Sequence, residues 1–154
     1  MQSASLENLV LVLFVSGTLL FLLVLVWFFR RSRAKQAEKL LERYPKSELL
    51  GASDRANFFG VKSHGCRQLR GNGFLFYTKR EIFFQLWMSR REVIIPLDKI
   101  TSVDNVRVFL GRSRMKPLLR VGFTNTAGKQ DYCAWLVRDL EKWTQSIKAA
   151  CGIQ

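Results

Sequence analysis

Apolar and polar positions follow three different patterns along this chain. Leu9–Phe29 reads LVLVLFVSGTLLFLLVLVWFF, with no charge and no periodicity. Between Arg33 and Tyr44 the apolar residues thin to a narrow stripe, Ala37, Leu40, Leu41 and Tyr44, at helical spacing. From Phe58 the period drops to two, in short runs broken by turn residues. After Asp139 it returns to that of a helix.

The first run predicts a membrane-spanning helix. A bilayer core about 30 Å thick needs roughly 20 apolar helical residues. Ser16, Gly17 and Thr18 are its only weakly polar points. A cleaved signal peptide would have a basic start, a shorter apolar core and a small-residue cleavage site. Here Met1–Asn8 holds no Lys or Arg, and the run ends in Trp27-Phe28-Phe29-Arg30-Arg31, an aromatic belt followed by a stop-transfer cluster. Arg30, Arg31, Arg33 and Lys35 follow the span, so the positive-inside rule puts residues 1–8 outside and the rest in the cytoplasm. No charge inside the span could carry transport, and no GxxxG motif marks a dimer face.

Residues 30–56 read as a basic helical stalk and connector. Lys35/Glu38 and Lys39/Glu42 can pair one turn apart, and Pro45 should end the helix. Residues 57–154 read as one domain. Its expected strands are Phe58–Lys62, a short Cys66–Leu69, Phe74–Thr78, Ile82–Met88, Glu92–Leu97, Ile100–Phe109, Leu118–Thr124 and Gln130–Val137. Tight connections make neighbours antiparallel. In Leu118–Thr124, Leu119, Val121 and Phe123 share one face. Asp139 is placed to cap a helix that Gly152 stops, with Leu140, Trp143 and Ile147 on its apolar side. The fold class is therefore α+β: about seven antiparallel strands in a bent sheet or partly open barrel, its open end covered by a C-terminal amphipathic helix.

Three stretches resemble the pleckstrin-homology (PH) superfamily, closest to its GRAM and bacterial PH-like branch. Gly73-Phe74-Leu75-Phe76-Tyr77-Thr78 resembles that branch's G-x-L-x-x-T strand, and Glu81-Ile82-Phe83-Phe84 the apolar strand after it. The run from Ile94 to Val103, IIPLDKITSV, resembles its I-P-L-x-x-I-x-x-V segment. The likeness covers about residues 58–151. It implies a seven-stranded bent sheet closed by the helix, and binding of lipids, peptides or proteins rather than catalysis. It also directs attention to Lys62, Arg67 and Arg70, in and beside the first inter-strand loop, as candidate anion ligands.

Charge narrows the partners. All 25 Lys and Arg follow Phe29, with 11 of the 12 Asp and Glu, since only Glu7 precedes the span; the difference is about +14. Such a field draws anionic partners. The densest basic stretch after the stalk holds Arg112, Arg114 and Lys116 between Gly111 and Pro117; in an extended loop these alternating residues would point one way. Arginine there suits bidentate contact with phosphate. The juxtamembrane cluster Arg30, Arg31, Arg33 and Lys35 suits an acidic leaflet, although setting topology already accounts for it. The expected partners are the membrane itself, anionic lipid head groups, or a membrane-protein partner. Nucleic acid is not expected, because the aromatics fall on strands at core positions. No metal or cofactor is expected: three widely spaced cysteines and the lone His64 form no ligand set. No catalytic constellation surrounds His64, which sits in a Gly-bounded turn.

Overall fold

The computed structural model describes residues 2–153 apart from Met88 and Arg90. They divide into two compact units, one up to Arg43 and one from Tyr44 onward.

The first unit is one helix, α1 (Gln2–Arg43). The apolar run and the stalk are therefore continuous, and 42 residues at about 1.5 Å each give a rod of roughly 63 Å. Val10 to Phe29 are exposed all round, so no side of the rod is reserved for a protein core. Its polar points are satisfied locally: Ser16 Oγ donates to the Leu13 carbonyl (3.0 Å) and Thr18 Oγ1 to that of Val15 (2.8 Å). This one helix is long and apolar enough to cross a membrane.

The second unit contains strands β1 (Gly51–Val61), β2 (Gly71–Tyr77), β3 (Glu81–Leu86), β4 (Glu92–Pro96), β5 (Ile100–Val106), β6 (Leu118–Thr124) and β7 (Gln130–Leu136), then helix α2 (Leu140–Cys151). They form one antiparallel sheet in the order β4-β3-β2-β1-β7-β6-β5. Its edges are consecutive in the chain. A flat sheet of seven strands would hold them about 29 Å apart, yet Pro96 and Ile100 are linked by a span of at most about 14 Å. The sheet must roll until its edges approach at residues 97–99, while β4 and β5 stay unpaired and the barrel open.

Alternation then sorts the side chains. Phe58, Leu75, Phe84, Leu119, Val121 and Trp135 fill the inside, with Phe58 stacked on Phe84 at 4.9 Å. Helix α2 spreads over the open end. Trp143 meets the Tyr77 ring edge-on at 5.6 Å, and Thr144 Oγ1 donates to Asn105 Oδ1 at 2.8 Å, so the helix ties β2 to β5. This is the expected arrangement of seven antiparallel strands and a closing helix.

Four local expectations change. β1 starts at Gly51, seven residues before Phe58, because Gly51–Ser53 pair with Leu75–Tyr77 across a bulge at Asp54 and Arg55. Cys66–Leu69 is not a strand; its Gln68 instead bonds back to the Val61 and Gly65 backbone. β5 ends at Val106 rather than Phe109, where the chain turns into a separate small hairpin. Asp139 stands at the start of α2, but its side chain makes no capping hydrogen bond. The expected strand end at Met88 and Arg90 of the following turn lie outside the described residues.

Candidate functional site

Two loops meet on the outer face of the sheet. Residues 62–70 join β1 to β2, and residues 107–117 join β5 to β6. Together they carry Lys62, Arg67, Arg70, Arg107, Arg112, Arg114 and Lys116, and not one Asp or Glu.

The first loop is shaped by side chains acting as backbone. Gln68 Oε1 accepts from the Val61 amide at 2.8 Å, and its Nε2 donates to the carbonyls of Val61 (2.8 Å) and Gly65 (2.5 Å). Gly60 permits this: its φ is +124°, and a Cβ there would lie 2.7 Å from the Gln68 amide. Buried Asp131 on β7 accepts from the Ser63 and Tyr132 amides at 3.0 and 2.8 Å. The loop is thus tied to β1 and β7 before it delivers Arg70 to the start of β2.

In the second loop Phe109 and Arg112 exchange both backbone hydrogen bonds (2.9 and 3.0 Å) around Leu110 and Gly111. Those two residues have φ of 49° and 72°, the signature of a type I′ turn. Phe109 is buried with Phe59, Leu118 and Ala134, which pins this hairpin against the outer face of the sheet.

The loops enclose a cleft of about 550 Å³ lined by Asn57, Arg70, Gly71, Arg112, Ser113 and Arg114 over the Phe58–Phe59 strand. Asn57 and Arg114 also line an adjoining depression of about 440 Å³ with Arg55, Asn72, Lys116 and Arg138. No acid lines either depression among the described residues. Arg70 is half-buried, and its Nε and Nη2 have no hydrogen-bond partner among the described residues. A buried donor without an acceptor costs about 1–3 kcal/mol. Arg70, Arg112 and Arg114 give the cleft a basic wall, a setting suited to a tetrahedral oxyanion.

Of the residues singled out in the sequence, the structure gathers Arg70, Arg112 and Arg114 into the main cleft and Lys116 into its neighbour. Met115 is left-handed (φ 60°) between Arg114 and Lys116, so the run is not uniformly extended, and Arg114 lines both depressions. Lys62 is set apart: its ammonium lies 5.3 Å from the centre of the Tyr132 ring, on a residue that also receives Arg120 at 5.2 Å. Arg67 is exposed and lines neither depression. Arg30, Arg31, Arg33 and Lys35 belong to α1; Arg31 lies over Trp27 at 5.3 Å. Arg120, beside the site, is engaged with Asp104 through two contacts of 2.7 and 2.5 Å, which raise its pKa above the ordinary value despite partial burial. His64 is exposed and accepts at Nδ1 from Arg91 at 2.9 Å. Sequence reasoning missed Arg55, Asn57, Asn72 and Arg138. The first two lie where β1 shows no alternation, so only the β1–β2 register reveals them.

No family model and no curated protein matches the chain. Solved structures do. A chain from the structure described as "The 8S snRNP Assembly Intermediate" superposes with a TM-score of 0.54 at 9% identity, covering 71% of this chain and 87% of that one. The Vps36 N-terminal PH domain matches with a TM-score of 0.48 at 16% identity, over 68% and 78% of the two chains. At such identities a likeness speaks to fold alone. The second unit has a PH-like fold.

Proposed function

We propose that this chain is a membrane-anchored, non-enzymatic PH-like module of the GRAM and bacterial branch, which engages anionic lipid head groups at the cytoplasmic face through its basic cleft. The observation that carries this reading is the cleft that Arg70, Arg112 and Arg114 line together with no acid among its described lining. Three guanidinium groups lining one cleft suit a phosphate oxyanion. The apolar rod supports anchorage, since so large an exposed apolar surface is costly in water. The cations after Phe29 support a cytoplasmic domain. Tethering holds the cleft among head groups, so even a weak site would be occupied.

The test is co-flotation of the unit from Tyr44 onward, whose core is its own, with neutral and acidic vesicles at low and high salt. Salt-sensitive binding to acidic vesicles alone, lost on replacing Arg70, Arg112 and Arg114 by Ala, is the expected result. Equal binding to both vesicle types, or to neither, would contradict it. The second reading is a protein-binding adaptor or assembly subunit without lipid specificity. It is favoured by β4, an unpaired sheet edge on which Ile94 is 41% exposed, because such an edge can accept a strand. That reading expects a partner retained through detergent purification of the full chain, indifferent to substitutions in the cleft.

A further inference from the structure

The cations that line the cleft and its neighbour can donate hydrogen bonds and cannot accept them. Three other lining side chains can do both: Asn57, Asn72 and Ser113. Two of these already accept. Asn72 Oδ1 accepts from Asn57 Nδ2 at 2.8 Å, and Ser113 Oγ accepts from the Met115 amide at 3.2 Å. The Ser113 hydroxyl keeps its proton and joins the donors.

Asn57 is the exception. Its bond to Asn72 uses an amide hydrogen, which fixes the orientation of the carboxamide and leaves Oδ1 without a hydrogen-bond partner among the described residues. Its place is set from both sides, since β1 register sets it opposite Asn72 of β2 and Leu136 of β7. Asn57 and Arg114 are the residues that both depressions share. A fixed acceptor therefore stands among cations in a setting otherwise made of donors.

Phosphate does not explain that acceptor. An amide oxygen repels a phosphate oxygen, and a fully ionised phosphodiester brings no proton to it. A hydroxyl elsewhere on the same ligand does, because the phosphate can meet guanidinium while the hydroxyl donates to Asn57. A site that holds a polar group for a ligand hydroxyl selects against the analogue lacking it, since the protein group is then left unpaired.

We infer that Asn57, positioned by Asn72, selects anionic phosphodiester head groups whose alcohol carries a free hydroxyl, of the glycerol or inositol kind. This rests on the head-group reading above and names the class of ligand. Choline offers Asn57 no donor. Ethanolamine offers one but brings a further cation into a basic cleft.

The test compares phosphatidylglycerol with phosphatidylpropanol, which has the same charge and nearly the same size but no head-group hydroxyl. Each is mixed into phosphatidylcholine vesicles, and partitioning of the unit from Tyr44 onward is measured by flotation at low salt. The core of that unit is built from its own residues. The wild type should prefer phosphatidylglycerol by about twofold to tenfold, the range of one neutral hydrogen bond. Asn57→Ala should lower binding to phosphatidylglycerol to the phosphatidylpropanol level and leave the latter unchanged. Asn72→Ala frees the carboxamide to turn, so it should shrink the preference. Asn72→Asp can still accept from Asn57 and should keep the preference at lower overall affinity, which a merely structural role would not produce. Thermal unfolding checks that each variant folds, and the wild-type comparison stands without them. Excess soluble glycerophosphoglycerol separates the sources: release from the vesicles assigns the free head group as a ligand too, and retention assigns the lipid, with the hydroxyl preference upheld in both cases. Equal wild-type binding to the two acidic lipids, or a preference that survives Asn57→Ala, overturns the inference and leaves the head-group reading standing. Binding to neither lipid removes both.

Discussion

Replacing Arg70 by Met should stabilise the fold and weaken anion binding together. Met keeps much of the aliphatic stem and removes the guanidinium whose Nε and Nη2 are buried without partners. Each such donor costs about 1–3 kcal/mol, but Arg70 is only half-buried, so a net gain of about 1–2 kcal/mol is expected. For a domain of this size 1 kcal/mol moves Tm by roughly 4–8 °C, so Arg70→Met should melt some 5–15 °C higher. The same change removes a charge-assisted contact of about 1.5–3 kcal/mol, which weakens phosphate binding roughly tenfold to a hundredfold. The assay is thermal unfolding of the unit from Tyr44 onward, with and without inorganic phosphate. The wild type should gain Tm with phosphate, because ligand binds only the folded state. The variant should start higher and gain little. A lower starting Tm, or an undiminished response to phosphate, would refute the argument that the protein bears this burial for a ligand.

Other outcomes follow from the loops and core. Gly60→Ala forces a side chain into φ +124° against Gln68, so it should cost about 1–3 kcal/mol by denaturant unfolding and loosen the 62–70 loop to proteolysis. Burial, and secondarily Asp131, raises the Cys133 pKa well above its ordinary 9.0. The unfolded thiol ionises first, so this group's contribution is complete below about pH 9 and is lost as pH rises beyond it; Cys133→Ala should flatten the alkaline limb of a stability–pH profile. For the same reason Cys133 should resist thiol reagents that label exposed Cys66 at once. Arg120→Ala breaks a part-exposed pair with Asp104, and a double-mutant cycle should report a coupling of only about 0.5–1 kcal/mol.

Much of the fold was legible because burial enforces periodicity. Leu119, Val121 and Trp135 lie inside because a strand alternates, and Trp143 and Ile147 because a helix turns. The start of β1 was hidden for the converse reason. Gly51–Arg55 is polar, bulged and mostly exposed, so its pairing with β2 comes from register and not from pattern. The site was legible as charge and not as geometry. Arg112 and Arg114 stood out by density, whereas nothing in the sequence shows that Arg70 is drawn inward while Lys62 is diverted to Tyr132. That separation depends on Gln68 and Asp131, two polar residues whose partners are backbone amides and carbonyls. Such contacts leave no compositional trace.

The most direct test is to locate the site by amide chemical shifts, titrating the unit from Tyr44 onward with inositol hexakisphosphate. The account expects changes concentrated at Asn57–Phe59, Arg70–Gly71 and Gly111–Lys116, with β4 and α2 unmoved. Changes centred on β4 or α2, or none at all, would contradict a head-group site in this cleft.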